Sequence, residues 1–382
     1  MIKVLAISHA YVEPFTRAGL VESNNYPDID LSVVVPKCLT EKYVEGHKML
    51  LNENYKVFPI KCFLNLHQSL RFYGFCLISL IKKLKPDIIF INNEPWSLTA
   101  FQIVLISRFL NHKPKLIIYT CENLRRHYYL IFKVVEKFVL RHIDLALTMT
   151  KKDGPEILKK KGFKNEVSYL PLSVDADNFK KADAGQLRGS FFKGESGIFL
   201  IGYVGRIVKE KGIELLLEAL KILPGNCRGL IVGGGAYKPE LMKICRKQGL
   251  ESKVCFVAGV ANSDMPKYLN CLDALVLPAL TTGNWKEQFG RVLIEAMGCE
   301  VPVVGSDSGE IPEVIGDAGL VFKEGDSRDL SGVLMKLRGN KELRQSLGAL
   351  GRQRVLKNYE KKIVMAKTVS FYRKLYNNEN IN

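Results

Sequence analysis

The feature that most constrains this fold is an alternation. Short apolar runs rich in β-branched residues are followed repeatedly by stretches of helical period. Strand-length runs include Lys3–Ser8, Leu31–Pro36, Asp87–Asn92 and Lys115–Thr120 early in the chain, and Phe199–Gly205, Arg228–Gly233, Ala274–Pro278 and Val301–Ser306 later. Helical stretches such as Ile213–Leu223 and Pro239–Gln248 fill the gaps. Parallel strands joined by crossover helices read this way, because both faces of the sheet are covered. With 382 residues the chain is too long for one core, since single cores stop growing at ~250–300 residues. The expected fold class is α/β, with two doubly wound Rossmann-like domains facing across a cleft and ligands at the carboxyl ends of the strands. The first domain is expected over residues 1–175, and a polar Lys-, Gly- and Ser-rich linker over 176–197. A second domain over 198–358 and a helix over 359–376 that returns to the first domain complete the plan. The Asn-rich tail from Asn377 reads as a disordered end.

Composition excludes several classes. The nine cysteines show no C-x-x-C pair, which argues for reduced core thiols in a cytosolic setting and against a disulfide frame or zinc site. The start, Met1-Ile2-Lys3-Val4-Leu5-Ala6-Ile7-Ser8, reads as a buried strand and not as a signal peptide. The longest apolar run, Phe72 to Ile81, falls short of the ~20 residues that cross a bilayer. Net charge is +17, with +10 in residues 1–190 and +7 in residues 191–382. Basic clusters include Lys82-Lys83-Lys85, Arg125-Arg126, Lys151-Lys152 and Lys159-Lys160-Lys161. Such a field draws anionic surfaces. No nucleic-acid-binding pattern is visible, so an anionic membrane leaflet is the favoured surface, against the plainer reading of a soluble basic exterior.

The run Glu287-Gln288-Phe289-Gly290-Arg291-Val292-Leu293-Ile294-Glu295 places two glutamates eight residues apart around a helix start. A helix N-terminus offers unpaired N–H groups and partial positive charge to an anion. Carboxylates before the helix and about a turn and a half into it suit a ligand with phosphates in the middle and a sugar at each end. Spacing alone leaves open a surface ion pair of Arg291 with Glu295, worth roughly 0.3 kcal/mol.

Other segments converge on the same chemistry. A strand ending at Gly205 puts Arg206 and Lys211 in a strand-to-helix loop, where two cations can neutralise a diphosphate leaving group. They can equally be ordinary loop cations. Gly233-Gly234-Gly235 follows the next strand and permits close approach of backbone to ligand, Gly234 included. The frame is not that of a dinucleotide site, since the third glycine would have to stand at Lys238. Ser308 and Gly309, after the strand at Val301–Ser306, line a sugar pocket or form a structural turn.

Taken together, Gly205-Arg206 through Lys211-Gly212, the glycines at 233–235, Glu287 through Glu295 and Gly305–Glu313 resemble the GT-B glycosyltransferases of family 4. These are retaining enzymes that use nucleotide-sugars. The resemblance is strong over roughly residues 198–325 and extends to the first half by layout only. It implies that Arg206 and Lys211 hold the diphosphate and that Glu287 binds the donor hexose. Backbone N–H groups from Phe289, Gly290, Arg291 and Val292 would meet sugar and phosphate. Glu295 would bind the ribose, and the base would lie near Gly259-Val260. The first domain, expected to bind the acceptor, departs from the pattern. Where the family often has a histidine after the strand at Lys115–Thr120, this chain has Cys121-Glu122-Asn123. Glu122 becomes a candidate for acid–base or orienting work, against simple pairing with Arg125 or Arg126.

The implied reaction transfers a hexose-type sugar from a nucleoside diphosphate to an acceptor hydroxyl with retained configuration. The setting would be surface polysaccharide, lipopolysaccharide or glycolipid assembly at the inner face of the cytoplasmic membrane. Partners are then a nucleotide-sugar, a lipid-linked or saccharide acceptor and an anionic membrane surface; no nucleic acid is expected. No cofactor and no metal is expected, because the two cations and the helix start supply the positive charge. Asp28-Ile29-Asp30 and Asp175-Ala176-Asp177 are D-x-D strings but lie in polar connecting stretches. Alternatives are a nucleotide-sugar epimerase of the same fold, or a basic module that binds nucleic acid or lipid.

Overall fold

Two parallel sheets organise the chain, seen here in a computed structural model that describes residues 1–12, 14–37, 55–63, 70–125, 129–192 and 195–377. The contacts divide into two units: Met1–Pro171 together with the chain from Lys361 onward, and Leu172–Glu360.

The strands of the first sheet are β1 (Ile2–Ile7), β2 (Ile29–Pro36), β3 (Lys56–Ile60), β4 (Ile88–Asn92), β5 (Lys115–Thr120), β6 (Leu145–Thr148) and β7 (Glu166–Tyr169). They lie in the order β3-β2-β1-β4-β5-β6-β7, all parallel. The chain moves outward from β1 in one direction and resumes at β4 in the other, so the topological switch point lies between β1 and β4. The helices α1 (Leu98–Arg108), α2 (Leu130–Leu140) and α3 (Asp153–Lys160) belong to this unit. Ile103, Val104, Val139, Leu140 and Leu158 join Leu5, Ile7, Ile89 and Ile118 in one buried cluster. Burial of whole side chains of this kind, at ~25 cal/mol per Å² of apolar surface, drives such a layer together.

The second sheet has β8 (Phe199–Val204), β9 (Cys227–Val232), β10 (Val254–Val257), β11 (Ala274–Leu277), β12 (Val303–Ser306) and β13 (Gly319–Phe322). Its order is β10-β9-β8-β11-β12-β13, again parallel throughout. Every residue of β8, β11 and β12 is buried, which explains their unbroken apolar character. The switch point here lies between β8 and β11. The helices α4 (Ile213–Ile222) and α5 (Arg291–Gly298) follow those two strands.

The segment expected as a linker over 176–197 is built into the second unit. Ala176 and Phe179 are buried, and Arg352 bonds the carbonyl oxygens of both. Arg188, in a helix over Gly185–Phe191, pairs with Asp273 at 2.6 Å. Its polar composition reflects a surface helix, which periodicity over so short a stretch does not reveal. The terminal helix α6 (Lys361–Tyr376) sits in the first unit, where Arg373 grips Asp28 through two 2.8 Å bonds and Tyr372 meets Phe90 edge-on. The tail beyond Asn377 and the motif residues Arg126, His127 and Tyr128 lie outside the described residues.

The apolar run from Phe72 to Ile81 divides. Phe72–Tyr73 pairs antiparallel with Cys62–Phe63, and Cys76–Leu84 is helical. Among the described residues no helix is long and apolar enough to cross a membrane. The described cysteines are thiols.

Candidate active site

Five strands of the second unit deliver residues to one edge of its sheet. Beyond β8 the chain runs Gly205-Arg206-Ile207 and then makes a short 3-10 turn over Lys209–Lys211. Gly212, in left-handed conformation (φ +62°), starts α4, and a Cβ there would fall 2.0 Å from the carbonyl oxygen of Pro278. Glycine is thus required for Lys211 to approach the end of β11.

Beyond β11 the loop reaches Glu287. Its carboxylate accepts a hydrogen bond from the Lys211 ammonium, and both side chains are largely buried. Lys211 also lies 5.0 Å from the ring centroid of Trp285. The pair therefore sits at the switch point, where an open α/β sheet binds its ligands. Tyr203, buried on β8, donates its hydroxyl to the Arg206 carbonyl at 2.6 Å. Burial, and secondarily the charge of Glu287, raises its phenol well above the ordinary value. The Arg206 side chain is exposed and has no acidic partner among the described residues.

The Gly290 backbone is left-handed (φ +80°) and precedes α5 without a side-chain cap. The first N–H groups of α5 thus stand at the sheet edge with no intrahelical acceptor. Phe289 turns its ring into the core against Tyr359, so only its backbone is available to a ligand. Val292 is half-buried. Glu295 is buried rather than a surface partner for Arg291; burial raises its pKa, and Arg291 opposes the rise. Ser308, after β12, is buried with its hydroxyl 2.9 Å from that of Thr281. A Cβ on Gly309 (φ +59°) would fall 2.0 Å from the carbonyl oxygen of Glu287. The loop after β12 is thereby pressed onto the backbone of Glu287.

The glycine cluster after β9 has a structural cause that sequence alone does not show. A Cβ on Gly233 would fall 1.9 Å from the Gly205 carbonyl oxygen, and one on Gly235 2.2 Å from that of Ile207. These glycines admit the β8 loop. Gly234 between them is exposed, with open space at its Cβ position. Lys238, where a dinucleotide fingerprint would have its third glycine, bonds the carbonyls of Gly233 and Val257 and so ties β9 to β10. Val260 follows β10 at the same edge and is half-buried.

Glu122 belongs to the first unit. Its carboxylate bonds Lys161, which also bonds Glu136. Packing supplies it with a lysine 39 residues further on, a partner that the sequence did not suggest; of the two arginines that it did suggest, Arg126 lies outside the described residues. Sequence reasoning missed Glu94, just beyond β4. Its carboxyl accepts bonds from the Thr120 hydroxyl and the Cys121 amide at 3.0 Å. Burial pushes its pKa up to about 7, with Glu122 adding to the rise and Lys161 opposing it. Its position just past a strand end was the available signal. Trp285 and Tyr203 were also missed.

Among the described residues no group of three or more His, Cys, Asp or Glu gathers to hold a metal ion. The D-x-D strings have other partners: Asp28 binds Arg373, Asp30 faces Lys56 at 3.5 Å, and Asp175 accepts from the amides of Asp177 and Asn178.

Residues 191–354 match the family model described as Glycosyl transferases group 1. The chain is 28% identical over 342 residues to the capsular polysaccharide biosynthesis glycosyltransferase CapM of Staphylococcus aureus, covering 84% of this chain and 85% of that one. The protein is a glycosyltransferase. A further relative of the glycosyltransferase is a GDP-mannose-dependent alpha-(1-6)-phosphatidylinositol monomannoside mannosyltransferase of Mycobacterium tuberculosis. It is 31% identical over 217 residues, 54% of this chain and 56% of that one. Among solved structures, Anabaena HepE in complex with UDP and glucose aligns with a TM-score of 0.76 at 18% identity, over 97% of this chain and 100% of that one. Sucrose-phosphate synthase of Thermosynechococcus elongatus aligns at 0.75 and 17%, over 99% and 100%. At such identities the likeness concerns fold, and the fold of this glycosyltransferase is GT-B.

Proposed function

We propose that this glycosyltransferase is a retaining enzyme of family 4 that moves a hexose-type sugar from a nucleoside diphosphate to an acceptor hydroxyl. The observation that carries the reading is the buried Lys211–Glu287 pair at the switch point, beside the uncapped start of α5. Arg206, Lys211 and the first N–H groups of α5 neutralise the diphosphate as its bond to the anomeric carbon breaks. Glu287 accepts hydroxyl hydrogens of the donor sugar, and Glu295 those of the ribose. Gly205, Gly234 and Val260 bring backbone close to the nucleotide, and Ser308 borders the sugar. The scheme draws its positive charge from side chains and helix and calls for no metal or cofactor. Glu122 is assigned an orienting role in the acceptor-binding first unit.

The relatives named above are a glycosyltransferase of capsular polysaccharide biosynthesis and a phosphatidylinositol monomannoside mannosyltransferase. By that analogy the acceptor is a saccharide or lipid-linked saccharide in surface polysaccharide, lipopolysaccharide or glycolipid assembly. The protein would then work in the cytoplasm at the inner membrane face. The test is a binding and hydrolysis screen over UDP-, GDP- and ADP-sugars with the full chain. Binding of one donor class, lost in Lys211→Ala, is expected. Absence of binding by every donor would overturn the assignment.

A further inference from the structure

The first unit carries an apolar strip that its own core does not cover. Tyr129, Leu130, Ile131 and Val134 at the start of α2 are 83%, 77%, 69% and 61% exposed. The far end of the helix is ordinary: Val139 and Leu140 are buried in the core. At 100° per residue, Leu130, Val134 and Ile131 share one arc of the helix, and Lys133 and Lys137 flank that arc on one side. Scattered apolar residues on a surface need no explanation, but four within about a turn and a half of one helix do.

Next to the strip is a cavity of about 310 Å³ lined by Arg125, Lys133, Lys137, Lys160, Lys161 and Glu136, among others. Lys161 is committed to Glu122 and Glu136, and Lys160 to Glu156. Arg125, Lys133 and Lys137 have no acidic partner among the described residues. Two lysines of α2 therefore belong both to the rim of the strip and to the wall of the pocket.

An apolar strip beside uncompensated cations complements a bilayer whose surface is anionic and whose interior is hydrocarbon. We propose that the start of α2 and the basic pocket form a membrane-docking surface. Tyr129, Leu130, Ile131 and Val134 enter the headgroup–acyl boundary, and Arg125, Lys133 and Lys137 hold the phosphate of an anionic lipid. A protein partner would need an apolar segment with acidic groups set beside it, whereas an anionic bilayer presents both over its whole surface. The inference rests on the reading that the enzyme works at a membrane face, and it gives that reading a location.

The experiment is co-sedimentation of the full chain with vesicles of pure phosphatidylcholine or of phosphatidylcholine containing about a third phosphatidylglycerol. Two variants are compared, Leu130→Ser/Ile131→Ser for the strip and Lys133→Glu/Lys137→Glu for the pocket, with circular dichroism and donor binding as controls of folding. The wild type is expected to partition at least ~10-fold more strongly to the anionic vesicles, and each variant to lose ~10-fold while binding donor normally. Equal partition of variants and wild type would overturn the proposal. So would complete release by millimolar inorganic phosphate, which would make the pocket a site for a free anion, or a change in solution mass of the strip variant alone, which would assign the strip to a second copy. Donor binding reports on the second unit, so failure of the donor screen and failure of membrane docking remain distinguishable.

Discussion

The ammonium of Lys211 and the carboxylate of Glu287, 76 residues apart in sequence, form an ion pair that is almost wholly buried. Removing one partner takes away the ion pair that the other makes at the switch point. Glu287→Gln and Lys211→Met are each expected to destabilise the protein by about 3 kcal/mol, whereas the double variant should cost less than their sum. A double-mutant cycle in urea checks this. Additive losses would show that the two charges do not depend on each other.

Arg206 lies at the same edge but is exposed and carries no structural duty beyond its carbonyl. Arg206→Ala is expected to leave unfolding stability within about 0.5 kcal/mol, since surface side chains away from such features contribute little. Turnover should fall by ~10²–10³, the usual loss when one preorganised charge donor is removed. Arg206→Lys should recover only part of it, because a point charge does not reproduce a bidentate fork. Steady-state kinetics beside urea melts separates the two effects.

The three adjacent glycines predict two different outcomes. Gly233→Ala and Gly235→Ala force a Cβ to within about 2 Å of a carbonyl oxygen of the β8 loop and should destabilise by more than ~2 kcal/mol. Gly234→Ala meets open space and should fold normally. If Gly234 admits the nucleotide, its alanine variant loses donor affinity at unchanged melting temperature. Calorimetry with and without the nucleoside diphosphate reads both quantities.

Glu94 makes stability depend on pH. Its folded pKa, about 7, lies above the unfolded value of 4.5. The native state therefore holds a proton that the unfolded state has lost, and stability falls as pH rises from about 4.5 through 7, by up to about 3 kcal/mol. Glu122 and Lys161 face the same carboxyl with opposite effects, and Thr120 and Cys121 donate to it. Glu94→Gln should flatten this part of the curve. An unchanged pH profile in the variant would show that Glu94 is ionised in the native protein throughout.

Much of this arrangement is legible in the sequence because it is local. The buried strands announce themselves as unbroken apolar runs, since a parallel strand such as β8 or β11 is covered on both faces. The start of α5 is marked by Gly290, whose left-handed backbone few other residues tolerate. A strand end followed by a helix is also where an α/β unit presents its ligand-facing loops, so Arg206, Lys211 and Glu287 could be placed at one edge without coordinates.

What the tertiary structure decided is every pairing across a long separation. Nothing in the spacing shows that Lys211 meets Glu287, that Glu122 is held by Lys161, or that Arg188 ties the supposed linker to Asp273. Nor does composition show that Gly233 and Gly235 make room for another strand's loop instead of for a ligand. The same holds for Glu94, whose proton affinity comes from being surrounded rather than from its neighbours in the chain. Periodicity reports which face of an element is buried. It carries no record of what lies opposite, because ion pairing and close backbone approach depend on distances that only the assembled sheet establishes.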